Sequence, residues 1–159
     1  MPEPTIRPAT PADAPVLAQL RWELRTALAP EIDPEGGFRE RCAAWMADRL
    51  TSSNAWLSWL AEDAADAPLG TVWVQLVEKL PNPVHEPDLH AYLTGFYVRP
   101  AGRNLGLGSA LLDAALAACT RRGIDTVFLW PTPRSRPLYA RYGFVERAGI
   151  LERRLWSKP

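Results

Sequence analysis

The residues whose types and spacing suit chemistry lie between positions 92 and 142. Residues 92–99, Tyr-Leu-Thr-Gly-Phe-Tyr-Val-Arg, form an aromatic and β-branched run that breaks at Pro100. A loop with Gly102, Gly106 and Gly108 follows, and then an alanine- and leucine-rich run over 110–119. This is a strand, a glycine loop and a helix in succession. Glycines let backbone N–H groups approach an anion with no Cβ in the way, and the exposed amides of a helix's first turn add the positive end of its dipole. The stretch is therefore a seat for phosphate.

Three phosphate loops compete for such a seat. A Walker loop needs Gly-Lys-Ser/Thr, and no lysine is near. A dinucleotide fingerprint needs a third glycine where Leu111 stands, and an acidic residue ending a second strand, whereas Asp125 precedes one. The third pattern, Arg/Gln-x-x-Gly-x-Gly/Ala after a strand ending Val-x-Pro, is met by Arg103, Gly106 and Gly108. Further on, residues 138–144 read Leu-Tyr-Ala-Arg-Tyr-Gly-Phe, a Leu-Tyr-x-x-x-Gly-Phe segment. Together, in this order and separated by a helix and a strand, the two segments resemble the GNAT superfamily of acyl-CoA N-acyltransferases.

The resemblance implies acetyl-CoA as acyl donor, no metal, and direct transfer to a primary amine of a small molecule, peptide or protein. Tyr97 and Val98 would offer backbone contacts to pantetheine, with an amide near Phe96 or Tyr97 for the thioester oxygen. Arg103, Asn104, Leu105, Gly106, Leu107, Gly108 and Ser109 would hold the pyrophosphate. Thr132 and Ser135 stand where the family commonly has Asn-x-x-Ala, so Thr132 keeps one hydrogen bond to pantetheine where an asparagine amide makes two. Tyr139 falls on the tyrosine that protonates the leaving thiolate. Trp22, Glu23, Glu31 and Phe38 become acceptor contacts. Tyr92 stands where a glutamate base is often found, leaving His90, or Glu86 or Asp88, as the proton route. A domain that binds acyl-CoA without catalysis, as a sensor or partner module, is the alternative reading.

Acyl transfer to an amine makes demands that these residues must meet. An alkyl ammonium is only about 0.1% neutral at pH 7, so a proton must leave before attack, while a thiol of pKa near 8.5 departs readily once a proton is offered. His85, Glu86, Asp88 and His90 cluster in a proline-rich stretch, but no helical i, i+4 pair fixes the histidines as metal ligands. Cys42 and Cys119 each sit inside a helical pattern, where free cysteine is usually a small buried hydrophobe.

The elements that must position these groups follow from pattern. A chain of 159 residues suits one domain, 1–159. No basic-then-apolar leader and no apolar run of bilayer length occurs, so a cytoplasmic protein off the membrane is expected. Residues 1–90 carry 14 Asp/Glu against 7 Lys/Arg, and residues 91–159 carry 4 against 11. The basic half holds the phosphate seat, and the acidic half suits a cationic acceptor. No dense basic stripe with interleaved aromatics suggests nucleic acid, and a monomer or homodimer is expected. Strands are expected at 5–8, 55–61, 70–77, 89–98, 126–130, 144–146 and 150–156. Helices are expected to about 28 from a Thr10 cap, then over about 38–50, from about 110 to the Arg121-Arg122-Gly123 stop, and over about 135–142. This order gives an α/β (α+β) fold: a mixed, mostly antiparallel sheet of six to seven strands with helices on both faces, which is the GNAT fold of the resemblance.

Overall fold

The computed structural model describes residues 3–29, 33, 36–147 and 149–156. Strand β1 (Thr5–Pro8) leads through a 3-10 turn at Pro11–Asp13 into helix α1 (Ala14–Leu28), and α2 (Phe38–Ser52) follows. Strands β2 (Trp56–Glu62), β3 (Pro68–Glu78) and β4 (Leu89–Val98) come next, then α3 (Leu107–Arg121), β5 (Thr126–Phe128) and α4 (Arg136–Arg141). The sheet order is β1-β2-β3-β4-β5, with antiparallel pairing throughout except for the parallel β4–β5 pair. That parallel pair requires a crossover, and α3 supplies it.

Local chemistry sets the turns. Between β2 and β3 the Asp63 carboxylate accepts from the N–H groups of Ala65 (2.8 Å) and Ala67 (2.9 Å), an Asx-type closure that lets Asp66 take φ 59°. The sheet is covered on both faces. Leu107, Leu111, Leu112, Ala115, Ala118 and Cys119 of α3 pack on Val72, Val74, Ala91 and Leu93. On the opposite face Leu17, Leu20 and Met46 of α1 and α2 pack on Leu60 and Trp73. Cys119 is buried and Cys42 half-buried, both as free thiols, and burial pushes both above the ordinary thiol pKa.

Among the described residues the sheet has five strands rather than the six to seven expected from sequence. The described residues of 144–147 and 150–156 form no strand. Their pattern accounts for this. Leu151 and Leu155 are four apart with three charged residues between them, so no period-two face exists to bury, and Leu151 is 98% exposed. Residues 129–130, expected to extend β5, instead leave the sheet and line a cleft.

One polar cluster pins β1 and the start of α1 to the sheet. The Arg7 guanidinium donates to Asp13 (2.8 and 2.9 Å) and to Glu62 (2.9 and 2.7 Å). It holds the Asp13 carboxyl down to about 2, with the Thr10 N–H adding a second bond. A depressed folded-state pKa contributes stability that is complete above the ordinary carboxylate range and is lost as pH falls toward about 2. With Arg7 partly exposed, the expected contribution is about 1–2 kcal/mol. Arg7→Gln should lower unfolding free energy by that amount at pH 7, and the gap from the parent should close in acid. A gap unchanged between pH 7 and pH 3 in urea titrations rules the linkage out.

Candidate active site

The site begins with an extra residue in β4. Trp73 pairs with Thr94, but Thr71 pairs with Tyr97, so a β-bulge lies between them. Gly95 takes φ 59° there, and a Cβ on it would lie 3.0 Å from the Trp73 ring, so glycine is required both by conformation and by space. The bulge shifts the alternation of the strand by one. Ala91 and Leu93, then Phe96 and Val98, pack toward α3, whereas Tyr97 packs toward α1 and α2.

The same strand loses its neighbour. Pairing between β4 and β5 is confined to His90↔Thr126, Ala91↔Val127 and Tyr92↔Phe128, so from Leu93 to Val98 this edge of β4 has no strand beside it. The gap opens into a cleft of about 830 Å³ lined by Thr94–Val98 on one side and by Leu129, Trp130 and Tyr139 on the other. An extended polar chain would find backbone donors and acceptors waiting along one wall.

At its far end the cleft meets the glycine loop. Asn104 (φ 61°) and Gly106 (φ 77°) are left-handed, and Gly106 is the cap residue of α3. The first hydrogen bond of the helix runs from Ala110 N–H to Gly106 C=O (3.0 Å), leaving the preceding amides without helical partners. Arg103, Asn104, Gly106, Leu107, Gly108 and Ser109 line the cleft; Leu105 is exposed outside it. Arg103 is oriented by its Nε–H bond to the Val98 carbonyl (3.2 Å), and Tyr142 Oη–H donates to the Ser109 carbonyl (3.1 Å), tying the α4 segment to the first turn of α3.

Tyr139 stands between these two halves. Its ring packs near Phe96 (6.0 Å between centroids) and Phe144 (5.4 Å). Among the described residues its hydroxyl bonds to no group and no sealed side-chain polar atom lacks a partner, so the hydroxyl opens to the cleft that the residue lines. Burial pushes its pKa up to about 12, which keeps it protonated through the neutral range. Thr132 and Ser135 also line the cleft and bond to each other: Thr132 N–H donates to Ser135 Oγ (3.0 Å) and Ser135 N–H to Thr132 Oγ1 (3.3 Å). This reciprocal pair shapes the turn into α4.

The acceptor candidates separate into two groups. Tyr92 lines the cleft, stacked on Phe128 (5.4 Å) with Trp130 edge-on (5.0 Å). Trp22, Glu23 and Phe38 do not line it. Trp22 packs on Phe38 (5.9 Å), and Glu23 is held by Arg99 in a two-armed pair (2.9 and 2.7 Å) that fastens α1 to the end of β4. Glu31 lies outside the described residues. His90 also stands apart from the cleft lining, its Nδ1 3.0 Å from Asp125 Oδ1, and Asp125 is bonded in turn to Lys79 (3.0 Å). Glu86 bonds to Asn82 in the loop before β4.

Sequence reasoning missed Arg21, Leu24 and Trp130. Arg21, Leu24 and Leu28 follow i, i+3, i+7 along α1 and face the cleft. Each residue turns a helix by about 100°, so Trp22 and Glu23, immediately after Arg21, point elsewhere. Nor does the acidic character of residues 1–90 reach the site. The described lining carries Arg21, Arg103, Arg134 and Arg141 and no Asp or Glu.

Comparison with known proteins bears on this arrangement. A predicted acetyltransferase from Clostridium acetobutylicum, solved with acetyl-CoA, superposes with TM-score 0.79 at 23% identity, covering 96% of both chains. A GCN5-related N-acetyltransferase from Ralstonia eutropha JMP134 superposes with TM-score 0.78 at 26% identity, covering 94% of this chain and 97% of its own. The mycothiol acetyltransferase of Beutenbergia cavernae is 32% identical over 105 residues, 61% of this chain but 32% of that protein, so the chain spans about a third of the length of that relative. The sequence pattern of the family described as Acetyltransferase (GNAT) family matches residues 17–144, which include the free edge of β4, the glycine loop and Tyr139, and the chain belongs to that family.

Proposed function

We propose that the protein, acting as a single domain, transfers the acetyl group of acetyl-CoA to the primary amine of a small molecule. One observation carries this reading: the unpaired edge of β4 runs straight into the open amides of α3, with the Tyr139 hydroxyl facing the same cleft. Pantetheine is an extended chain with amides, and it pairs with residues 93–98 as a strand would. Its pyrophosphate rests on the amides of 106–109, where the helix dipole and Arg103 favour negative charge. Thr132 and Ser135 contribute from the opposite lip.

The amine nitrogen attacks the thioester carbon, the C–S bond breaks, and the sulfur leaves as thiolate. A backbone N–H of the bulged segment near Phe96 or Tyr97 receives the carbonyl oxygen as it gains charge. Tyr139 offers a hydrogen bond to the sulfur. The proton lost by the amine goes to water. A relay through His90 would use Nε2, since Nδ1 is engaged by Asp125.

Thiol release from acetyl-CoA, followed against a panel of primary amines, tests the reading. An amine-dependent rate at least about 10²-fold above hydrolysis is expected. Tight acetyl-CoA binding with no amine-stimulated release would leave a binding module in its place.

A further inference from the structure

Arg21 is a cation in the wall of the cleft. Among the described residues it makes no hydrogen bond and no ion pair, in contrast to Arg7, Arg41, Arg49 and Arg99, each of which meets a carboxylate. Glu23, two residues along the same helix, is occupied by Arg99. Burial lowers the Arg21 pKa from its ordinary value, and the charge of Arg25 one turn on lowers it further. Holding a guanidinium there without a counter-charge is unfavourable, and an anion entering the cleft relieves it.

The position of Arg21 distinguishes it from the other arginines of the site. Arg103 belongs to the glycine loop, Arg134 precedes α4 and Arg141 ends it, and the α4 segment is fastened to the start of α3 through Tyr142. Arg21 instead reaches the cleft from α1, and Tyr92, on the half of β4 before the bulge, lines the same cleft. The neighbouring surface there is aromatic, with Tyr92, Phe128 and Trp130 in mutual contact and Trp130 64% exposed.

We propose that Arg21 is a specificity-determining residue that binds a carboxylate on the acceptor, so that the preferred substrate is an amino carboxylate with an aromatic or similarly flat apolar body resting on Tyr92 and Trp130. A guanidinium matches a carboxylate with two parallel N–H···O bonds, and the aromatic rings bury the remainder of the molecule. The inference rests on the acetyl-transfer reading for its substrate, but the subsite can be tested without turnover.

Two matched pairs of compounds separate the possibilities. Thiol release would be compared for phenylalanine and phenethylamine, per neutral amine, and calorimetry on the CoA-loaded protein would compare N-acetylphenylalanine with N-acetylphenethylamine. The carboxylate-bearing member of each pair is expected to win by roughly 10- to 10²-fold. Arg21→Gln should collapse that preference to within about threefold, and Arg21→Lys should retain part of it, because charge survives without the planar fork. Acetyl-CoA affinity of each variant, measured in the same way, verifies folding and should stay within about threefold of the parent. A parent enzyme that prefers phenethylamine, or a preference that persists in Arg21→Gln, overturns the proposal. So does a parallel loss of acetyl-CoA affinity, which would place the guanidinium on the cofactor. If no amine releases thiol while N-acetylphenylalanine still binds through Arg21, the subsite stands and the transfer reading falls.

Discussion

Tyr139→Phe is expected to lower kcat by about 10²-fold while acetyl-CoA affinity and stability stay nearly constant. The hydroxyl has no protein partner to abandon, and Phe96 and Phe144 pack on the ring, which phenylalanine preserves. Its pKa decides what the hydroxyl does. At about 12 it lies some three units above an ordinary thiol, so complete transfer of its proton to a thiolate is uphill by roughly 4–5 kcal/mol. The group therefore acts chiefly as a hydrogen-bond donor to sulfur while charge develops, and the thiolate takes its proton afterwards from water. Single-turnover thiol release with saturating amine checks this. A variant with parental kcat would make Tyr139 a packing residue only.

The part of the cleft built by the glycine loop and the α4 segment was legible in the sequence because it is local. Arg103, Gly106, Gly108 and Tyr139 are placed by one loop, one helix and one short segment, and nearest-neighbour chemistry specifies each of them. The α1 wall of the cleft depends on how that helix is rotated over the sheet, which spacing alone does not report. At about 100° per residue a stripe through Leu17, Leu20 and Leu24 puts Arg21 at its border and Trp22 nearly opposite, but does not say which border faces the cleft. Packing resolves it, because Trp22 finds Phe38 and Arg21 finds the cleft. The bulge at Gly95 was hidden for another reason: a glycine inside a strand pattern admits a bulge, but only Trp73 beneath it requires one. The expected closing strands do not form among the described residues because Leu151 and Leu155 offer no period-two face to bury.

Gly108→Val is expected to weaken acetyl-CoA binding by about 2 kcal/mol, roughly thirtyfold, in a protein that still folds. Gly108 has ordinary helical geometry in the first turn of α3, and a Cβ there would meet Leu138 and Phe96 at 3.6 Å, which is normal contact. A methyl is therefore accommodated in the free protein, and Gly108→Ala should even raise its stability by up to about 1 kcal/mol. The two further methyls of valine add bulk on the face that must admit a phosphate. Gly106 behaves differently: nothing lies within 4 Å of its would-be Cβ, but φ 77° makes any side chain there costly by about 1–2 kcal/mol. Calorimetric titration paired with thermal melts separates the two effects. Undiminished affinity in folded Gly108→Val would remove the first turn of α3 from the binding site.

The unpaired edge of β4 also bears on contact between copies of this chain. A row of free strand N–H and C=O groups is a template on which a second molecule can add a strand, and exposed edges of that sort seed aggregation. Here the row from Leu93 to Val98 faces inward, across from Leu129, Trp130 and the α4 segment. An approaching sheet from another molecule would have to bring its flanking strand, and that strand's side chains, into the same space. A single slender chain with hydrogen-bonding groups at intervals meets no such obstacle. The opening between β4 and residues 129–130 thus has room for one thin chain and less for a second sheet.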